Sequence, residues 1–130
     1  MSYKLKALEK EVLGKEKYVN AEGNTECVEF IRQAAGALHT STWKKGKKVS
    51  EAKAGDIPRG TAIATFDANG RYPTDGLGKH AAIYLFHDSI CIRVLDQWND
   101  QREVKSRPIW FNRPKGTKRN NDANTYYVIE

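Results

Sequence analysis

The chain has 130 residues, a length that suits one domain and lets about two-thirds of the unfolded surface be buried without a metal or a disulfide framework. Its 39% hydrophobic and 29% charged content argues against a disordered chain, and no apolar run approaches the ~20 residues of a helical membrane span. The net charge of +6 suits either nucleic acid or an anionic cell envelope as a partner.

Residues 2–13, SYKLKALEKEVL, are predicted to form a helix, with Ser2 as its cap and Leu5, Leu8 and Val12 recurring at three- and four-residue steps. Gly14 is the predicted stop. The same stretch lacks the continuous apolar segment of a secretory signal. The protein is therefore expected to be made in the cytoplasm and to leave it, if at all, by a route other than general export. Residues 15–25 form a polar connection with Gly23 and Asn24 as turn formers. ECVEFIRQAAG (26–36) is the second predicted helix. Val28, Ile31 and Ala35 share one face, Cys27, Phe30 and Ala34 lie beside it, Thr25 or Asn24 caps the start, and Gly36 ends it. Residues 37–60 read as loop, anchored by Trp43 and Val49. Strands are predicted at 60–66, 79–87, 90–97, 107–111 and 125–130, separated by a turn-rich loop at 67–78 and an Asn-rich loop at 112–124. Helices grouped before about five strands predict a single α+β domain over residues 1–130, with an antiparallel sheet.

Several features read as structural. The basic runs WKKGKKV (43–49) and RPKGTKR (113–119) contain loop-type glycine and read as solvated loops. Cys27 and Cys91 are the only cysteines, and no cysteine or histidine pair has zinc spacing, so neither metal nor cofactor is expected. His39 reads as loop structure, His87 as an exposed turn residue, and Cys91 as core. Trp43, Trp98 and Trp110 read as packing residues, although Trp98 is placed to line a cleft.

Chemistry concentrates at Cys27 and in GKHAAIYLFHDSICIRVLDQW (78–98). A cysteine in the first turn of a helix meets unpaired amides and a partial positive charge, which stabilise a thiolate. His80 opens a strand after a Gly-rich loop. With a three-residue turn at 87–89, Phe86 faces Ile90, Tyr84 faces Ile92, Ala82 faces Val94 and His80 faces Asp96. An even-numbered turn would set Gln97 opposite His80 instead. A nucleophile, a base and an orienting group are then available once the start of the second helix packs against the open end of the hairpin.

These residues carry a family resemblance. A cysteine at a helix start, then GTAIATF, KHAAIYL and IRVLDQW, resembles the papain-like peptidoglycan hydrolases of the NlpC and CHAP type. More narrowly, ECVEFIRQAAG, TSTWKKGKKV, GTAIATF, GKHAAIYL, VLDQW and TYYVI resemble the second family of type VI secretion amidase effectors, from about residue 18 to the end. The resemblance implies a papain-like fold, with Cys27 as nucleophile, His80 as base and Asp96 as orienter. Glu26 stands where the resemblance implies glutamine. An ionised carboxylate cannot donate to an oxyanion, so the hole would rest on the Cys27 amide plus another donor, with Tyr18 and Asn24 as candidates. Glu26 is then either structural or a receptor for a substrate amine.

The resemblance further implies a cysteine amidase that cuts stem or crosslink peptides of peptidoglycan, at the bond between meso-diaminopimelate and D-alanine. It implies delivery by the type VI apparatus into a recipient's periplasm and a cognate immunity protein in the producer. The rival expectation is a small basic module that binds nucleic acid or envelope polyanions without catalysis. On the amidase reading nucleic acid is no partner.

Overall fold

Strand-forming composition between residues 62 and 129 builds most of the architecture, as a computed structural model that describes residues 2–130 shows. Among the described residues, nine strand and helix elements occur in the order α1 (Glu9–Val12), β1 (Gly14–Lys15), α2 (Cys27–Ala35), β2 (Lys45–Lys48), β3 (Ala62–Thr65), β4 (Ala81–His87), β5 (Cys91–Asp96), β6 (Glu103–Trp110) and β7 (Tyr126–Ile129), with short 3-10 turns between them. The strands form one seven-stranded antiparallel sheet in the order β1-β6-β5-β4-β3-β7-β2. The α+β class therefore holds, with two edge strands more than the five expected. Neither β1 nor β2 has an apolar alternation; the GK of β1 pairs through its backbone, and β2 adds Lys45 and Lys48 over the Tyr127 ring of β7. Among the described residues, no helix is long and apolar enough to cross a membrane.

The central strands are buried on both faces. Ala81, Ile83, Leu85 and Leu95 pack against Phe30, Ile31, Ala34 and Ala35 of α2. On the other face Ala82, Tyr84, Ile92 and Val94 join Ile63, Ile109, Tyr126 and Val128 beneath Val49, Ala52, Ile57 and Ala123. Each fully buried Ile or Val contributes roughly 1.5–3 kcal/mol by leaving water. The hairpin is apolar because it separates two cores.

The N-terminal helix is much shorter than predicted. Residues 2–8 are mostly extended and lie between β3 and α2, and helix occurs only over Glu9–Val12. Ala62 N donates to the Tyr3 carbonyl, Leu5 N donates to Gly60 O at 2.8 Å, and Lys6 N donates to Ala34 O at 3.0 Å. These tertiary bonds satisfy backbone groups at the end of α2 and before β3, and they override a helical stripe of three residues. Ser2 caps nothing. The cap position is Leu8, and Glu11 accepts from its N–H at 3.1 Å.

The second helix begins and ends near the predicted positions. Gly36 adopts φ 70° and terminates α2, as a left-handed C-terminal position favours. The N-cap is Glu26, not Thr25 or Asn24, and its side chain makes no cap bond. Thr25 cannot serve, because its hydroxyl is committed to the Trp98 carbonyl at 3.1 Å.

The β4–β5 hairpin differs from the predicted register. The turn lies beyond His87, where Asp88 accepts from Ile90 N and Cys91 N, and His87 opposes Ile92. A bulge falls between Tyr84 and Phe86, after which Tyr84 opposes Val94 and Ile83 opposes Leu95. Thus Tyr84 does not face Ile92, and Phe86 and Ile90 are exposed instead of joining the core face. The unpaired residue changes the parity set by the turn, and even-numbered residues 82, 84, 94 and 96 share a face at the base of the hairpin.

One glycine shapes the approach to that base. Gly78 has φ +104°, and a Cβ there would lie 2.5 Å from Asn120 Oδ1 and 3.1 Å from the backbone nitrogens of Arg119 and Asn120. Loop 75–79 can therefore press against residues 119–121, where Arg119 also pairs with Asp75 at 3.0 Å.

Candidate active site

Cys27 is the first residue of α2, so its amide has no partner within the helix by position. Two buried side chains hold that helix start against the end of β5. Gln97 donates from Nε2 to the Glu26 carbonyl at 2.9 Å and to the Tyr18 carbonyl at 2.8 Å. Thr25 donates to Trp98 O. The base of the hairpin and the start of the helix are thereby brought together from residues about seventy apart in sequence.

His80, just before β4, is buried, and Asp96 at the end of β5 is fully buried. His80 Nε2 and Asp96 Oδ2 are 2.6 Å apart. The contact is diagonal, because the register extends to set Ala82, not His80, beside Asp96. Gln97 makes no hydrogen bond to His80: its Nε2 is spent on the two carbonyls, and its buried Oε1 has no partner among the described residues. Arg107 of β6 closes the other side of the carboxylate: its Nε lies 3.0 Å from Oδ1 and 2.8 Å from Oδ2, and its Nη2 lies 2.7 Å from Oδ2. Asp96 thus sits between an imidazole and a guanidinium. With Nε2 so engaged, Nδ1 is the ring nitrogen left for the thiol.

Cys27, His80 and Tyr72 line one open cleft of about 600 Å³, together with Glu26, Lys79 and Trp98. The Tyr72 hydroxyl lies 3.7 Å from Cys27 Sγ. Trp98 is partly exposed, stands edge-on to His80 at 6.3 Å, and carries the Arg107 guanidinium 4.7 Å above its ring. A second cavity of about 280 Å³ shares Arg107 and Asn121 with the first and runs on to Trp110, Arg113 and Lys118. Trp110, expected to pack, is exposed on β6. Among the described residues, no group of three or more His, Cys, Asp or Glu side chains could hold a metal.

Charge in the site is shared between thiol and imidazole. Burial alone would raise the Cys27 thiol, but the charge and hydrogen bond of His80, the Ala81 amide and the Tyr72 hydroxyl together hold it below the ordinary thiol value. Burial alone would likewise lower the His80 imidazole, yet the Cys27 thiolate and the Asp96 carboxylate push it up to about 9. Both shifts favour a thiolate–imidazolium pair. It exists above the lowered thiol value and is lost as pH rises through about 9. Alkylation of Cys27 by iodoacetamide should therefore rise at a pH below the ordinary thiol value of about 8.5. In His80→Ala the rise should move upward, because burial remains and the cation is gone. Coincident pH profiles for the two proteins would show that the groups are uncoupled.

Of the other sequence candidates, Glu26 and Trp98 line the cleft, whereas Tyr18 and Asn24 do not. Tyr18 packs on Phe30, with ring centroids 5.1 Å apart. Asn24 belongs to a turn in which its N–H reaches Asn20 Oδ1 at 2.9 Å. His87 is half-buried rather than exposed, bonded to the Tyr84 hydroxyl at 2.6 Å and to Ala52 O at 2.8 Å. Cys91 is half-buried at the hairpin tip, and both cysteines are free thiols. Sequence reasoning missed Tyr72 and Arg107. Tyr72 lies in a turn-rich loop, and Arg107 reads as an ordinary strand charge. Neither position carries a motif.

Comparison with known proteins places the chain in a family. The family model described as domesticated amidase effector 2 matches residues 6–129. The chain belongs to the amidase effector 2 family. The match covers residues 6–13, which the sequence resemblance left out. The type VI secretion amidase effector 2 protein of Salmonella typhi is 36% identical over 115 residues, covering 81% of this chain and 84% of that protein. Domesticated amidase effector 2 of Ixodes scapularis is 38% identical over 109 residues, covering 81% of this chain and 70% of that protein. A solved structure of type 6 secretion amidase effector 2 superposes with a TM-score of 0.80 at 36% identity, covering 97% of this chain and 93% of that one. As an amidase effector 2 member the chain is a hydrolase of the type VI effector class, and the rival basic binding module finds no support.

Proposed function

We propose that this amidase effector works by cysteine catalysis on the peptides of bacterial peptidoglycan. The observation that carries the reading is that Cys27 and His80 line one cleft, with the buried Asp96 carboxylate behind His80 at 2.6 Å. In this mechanism the Cys27 thiolate attacks the amide carbonyl carbon, and the carbonyl electrons move to oxygen. The imidazolium of His80 gives its Nδ1 proton to the amide nitrogen, the C–N bond breaks, and an amine leaves. His80 then takes a proton from water, the hydroxide so formed attacks the thioester, and the C–S bond breaks to return the thiolate. Asp96 fixes the ring through a charge-assisted hydrogen bond and stabilises its cationic form. The unpaired Cys27 amide supplies one oxyanion donor, worth on the order of 3 kcal/mol.

The cleft supports a peptide substrate that carries both charges, since Glu26 and Lys79 both line it. Glu26 fits a receptor for a substrate ammonium, because its side chain caps nothing. The second cavity leaves room for the other arm of a crosslink. Following the family, the bond cut is the one between meso-diaminopimelate and D-alanine. The site of action is the periplasm of a recipient cell reached by type VI delivery, and a cognate immunity protein covers the cleft in the producer. Digestion of purified Gram-negative sacculi, read by mass spectrometry, tests the reading. Crosslinked dimers should fall, and monomers with a new free amine on diaminopimelate should rise. Sacculi that keep every amide bond would refute it, and cuts elsewhere in the stem would refute the bond assigned.

A further inference from the structure

Cysteine attack moves charge from sulfur onto the carbonyl oxygen, and that oxygen needs donors in addition to the Cys27 amide. Glu26 supplies none, being a carboxylate at the position just before the nucleophile. Tyr18 and Asn24 do not line the cleft. We infer that the Tyr72 hydroxyl is the second oxyanion donor, entering from the loop between β3 and β4 rather than from the segment before the cysteine. This inference rests on the cysteine mechanism proposed above.

Three observations carry it. The Tyr72 hydroxyl lies 3.7 Å from Cys27 Sγ and, among the described residues, makes no other hydrogen bond. Its ring is held from behind, edge-on to Trp43 at a centroid distance of 5.1 Å, and the residue is only 8% exposed. Burial and the neighbouring thiolate raise its phenol far above the ordinary value, so it keeps its proton at every working pH and can only donate to an anion beside it. In a tetrahedral adduct the oxyanion sits on the carbon bonded to the attacking sulfur, so a donor that already reaches the sulfur stands beside the space the oxygen enters. No net proton transfer is involved. The O–H bond of Tyr72 stays intact, and only its acceptor changes, from thiolate to oxyanion and back.

The two roles open to this hydroxyl separate by experiment. A group that only steadies the resting thiolate should affect alkylation and hydrolysis alike, because both need the thiolate. An oxyanion donor should affect hydrolysis alone once the thiol is fully ionised, because iodoacetamide alkylation forms no oxyanion. Tyr72→Phe removes one oxygen and leaves the Trp43 packing in place. Its fold should match the parent's by circular dichroism and thermal unfolding. On a soluble crosslinked muropeptide at a pH above the thiol titration, kcat should fall about a hundredfold with KM little changed. The alkylation rate at that pH should stay within about twofold of the parent's. Hydrolysis within twofold of the parent, or hydrolysis and alkylation falling together, would overturn the role of Tyr72. Cys27→Ala in the same assay keeps the two levels apart. An active Tyr72→Phe beside an inactive Cys27→Ala refutes only this inference, and an active Cys27→Ala refutes the cysteine mechanism together with it.

Discussion

Cys27→Ala should fold as the parent does and release no crosslink fragments from sacculi. Sγ is the atom on which the charge of His80, the Ala81 amide and the Tyr72 hydroxyl converge. Alanine keeps the helix start, since Cys27 caps nothing and α2 is held there by Gln97 and Thr25. Loss of the sulfur should lower turnover to background, several orders of magnitude below the parent, because the reaction would have no nucleophile left. The cavity is small, so stability should change by about 1 kcal/mol. Burial and Asp88 raise the Cys91 thiol at the hairpin tip, and Cys91→Ala should digest sacculi at the parental rate. Digestion by folded Cys27→Ala would end the mechanism, and a dead Cys91→Ala would move it to the other thiol.

Asp96→Asn should give the largest effect among substitutions that leave the nucleophile in place. The carboxylate is fully buried and serves His80 and Arg107 at once. An amide of the same shape cannot balance two cations, and its NH2 must point at one of two donors. Three results should follow together. The His80 imidazolium should be lost well below the pH of about 9 that marks the parent. The Cys27 titration should move up, because a weaker cation stabilises the thiolate less. Turnover near neutral pH should fall at least a hundredfold. The pH–rate profile checks all three, and a parental profile would show that Asp96 does not act on His80. Asp96→Ala should also lower stability by about 3 kcal/mol in chemical denaturation. That is the low end for breaking a buried pair, since Arg107 keeps a quarter of its side-chain surface in water.

The second helix and the central strands were readable from sequence because their apolar periodicity matches what they bury. Phe30, Ile31, Ala34 and Ala35 face the sheet, β3 and most of β4 are apolar runs, and β5 sets buried Ile92 and Val94 on either side of Arg93. The edge strands were not readable, because Gly14–Lys15 and Lys45–Lys48 bury almost nothing and depend on a neighbour's backbone. The N-terminal segment misled by its stripe of Leu5, Leu8 and Val12. Its conformation follows from carbonyl and amide groups left over at Gly60, Ala62 and Ala34, which no local pattern reports. At the site, Cys27, His80 and Asp96 were expected to meet from a helix start and strand parity, and they lie together. Tyr72 and Arg107 were missed because their importance comes only from what the fold sets beside them. The register was misjudged as well, since the shift within the strands depends on a bulge that carries no glycine or proline signal.

That bulge has a consequence for how relatives of this protein can diverge. Without it, each residue added to or lost from the hairpin tip would turn every later side chain of β5 over, and Asp96 would swap places with Gln97. With a one-residue slack between Tyr84 and Phe86, the tip can change length by one and the bulge can take up or release the difference. Phe86, Asp88 and Ile90 therefore lie on the outer side of a phase buffer. Insertions and deletions should collect there across the lineage, while the spacing from His80 to Tyr84 and from Val94 to Asp96 stays fixed.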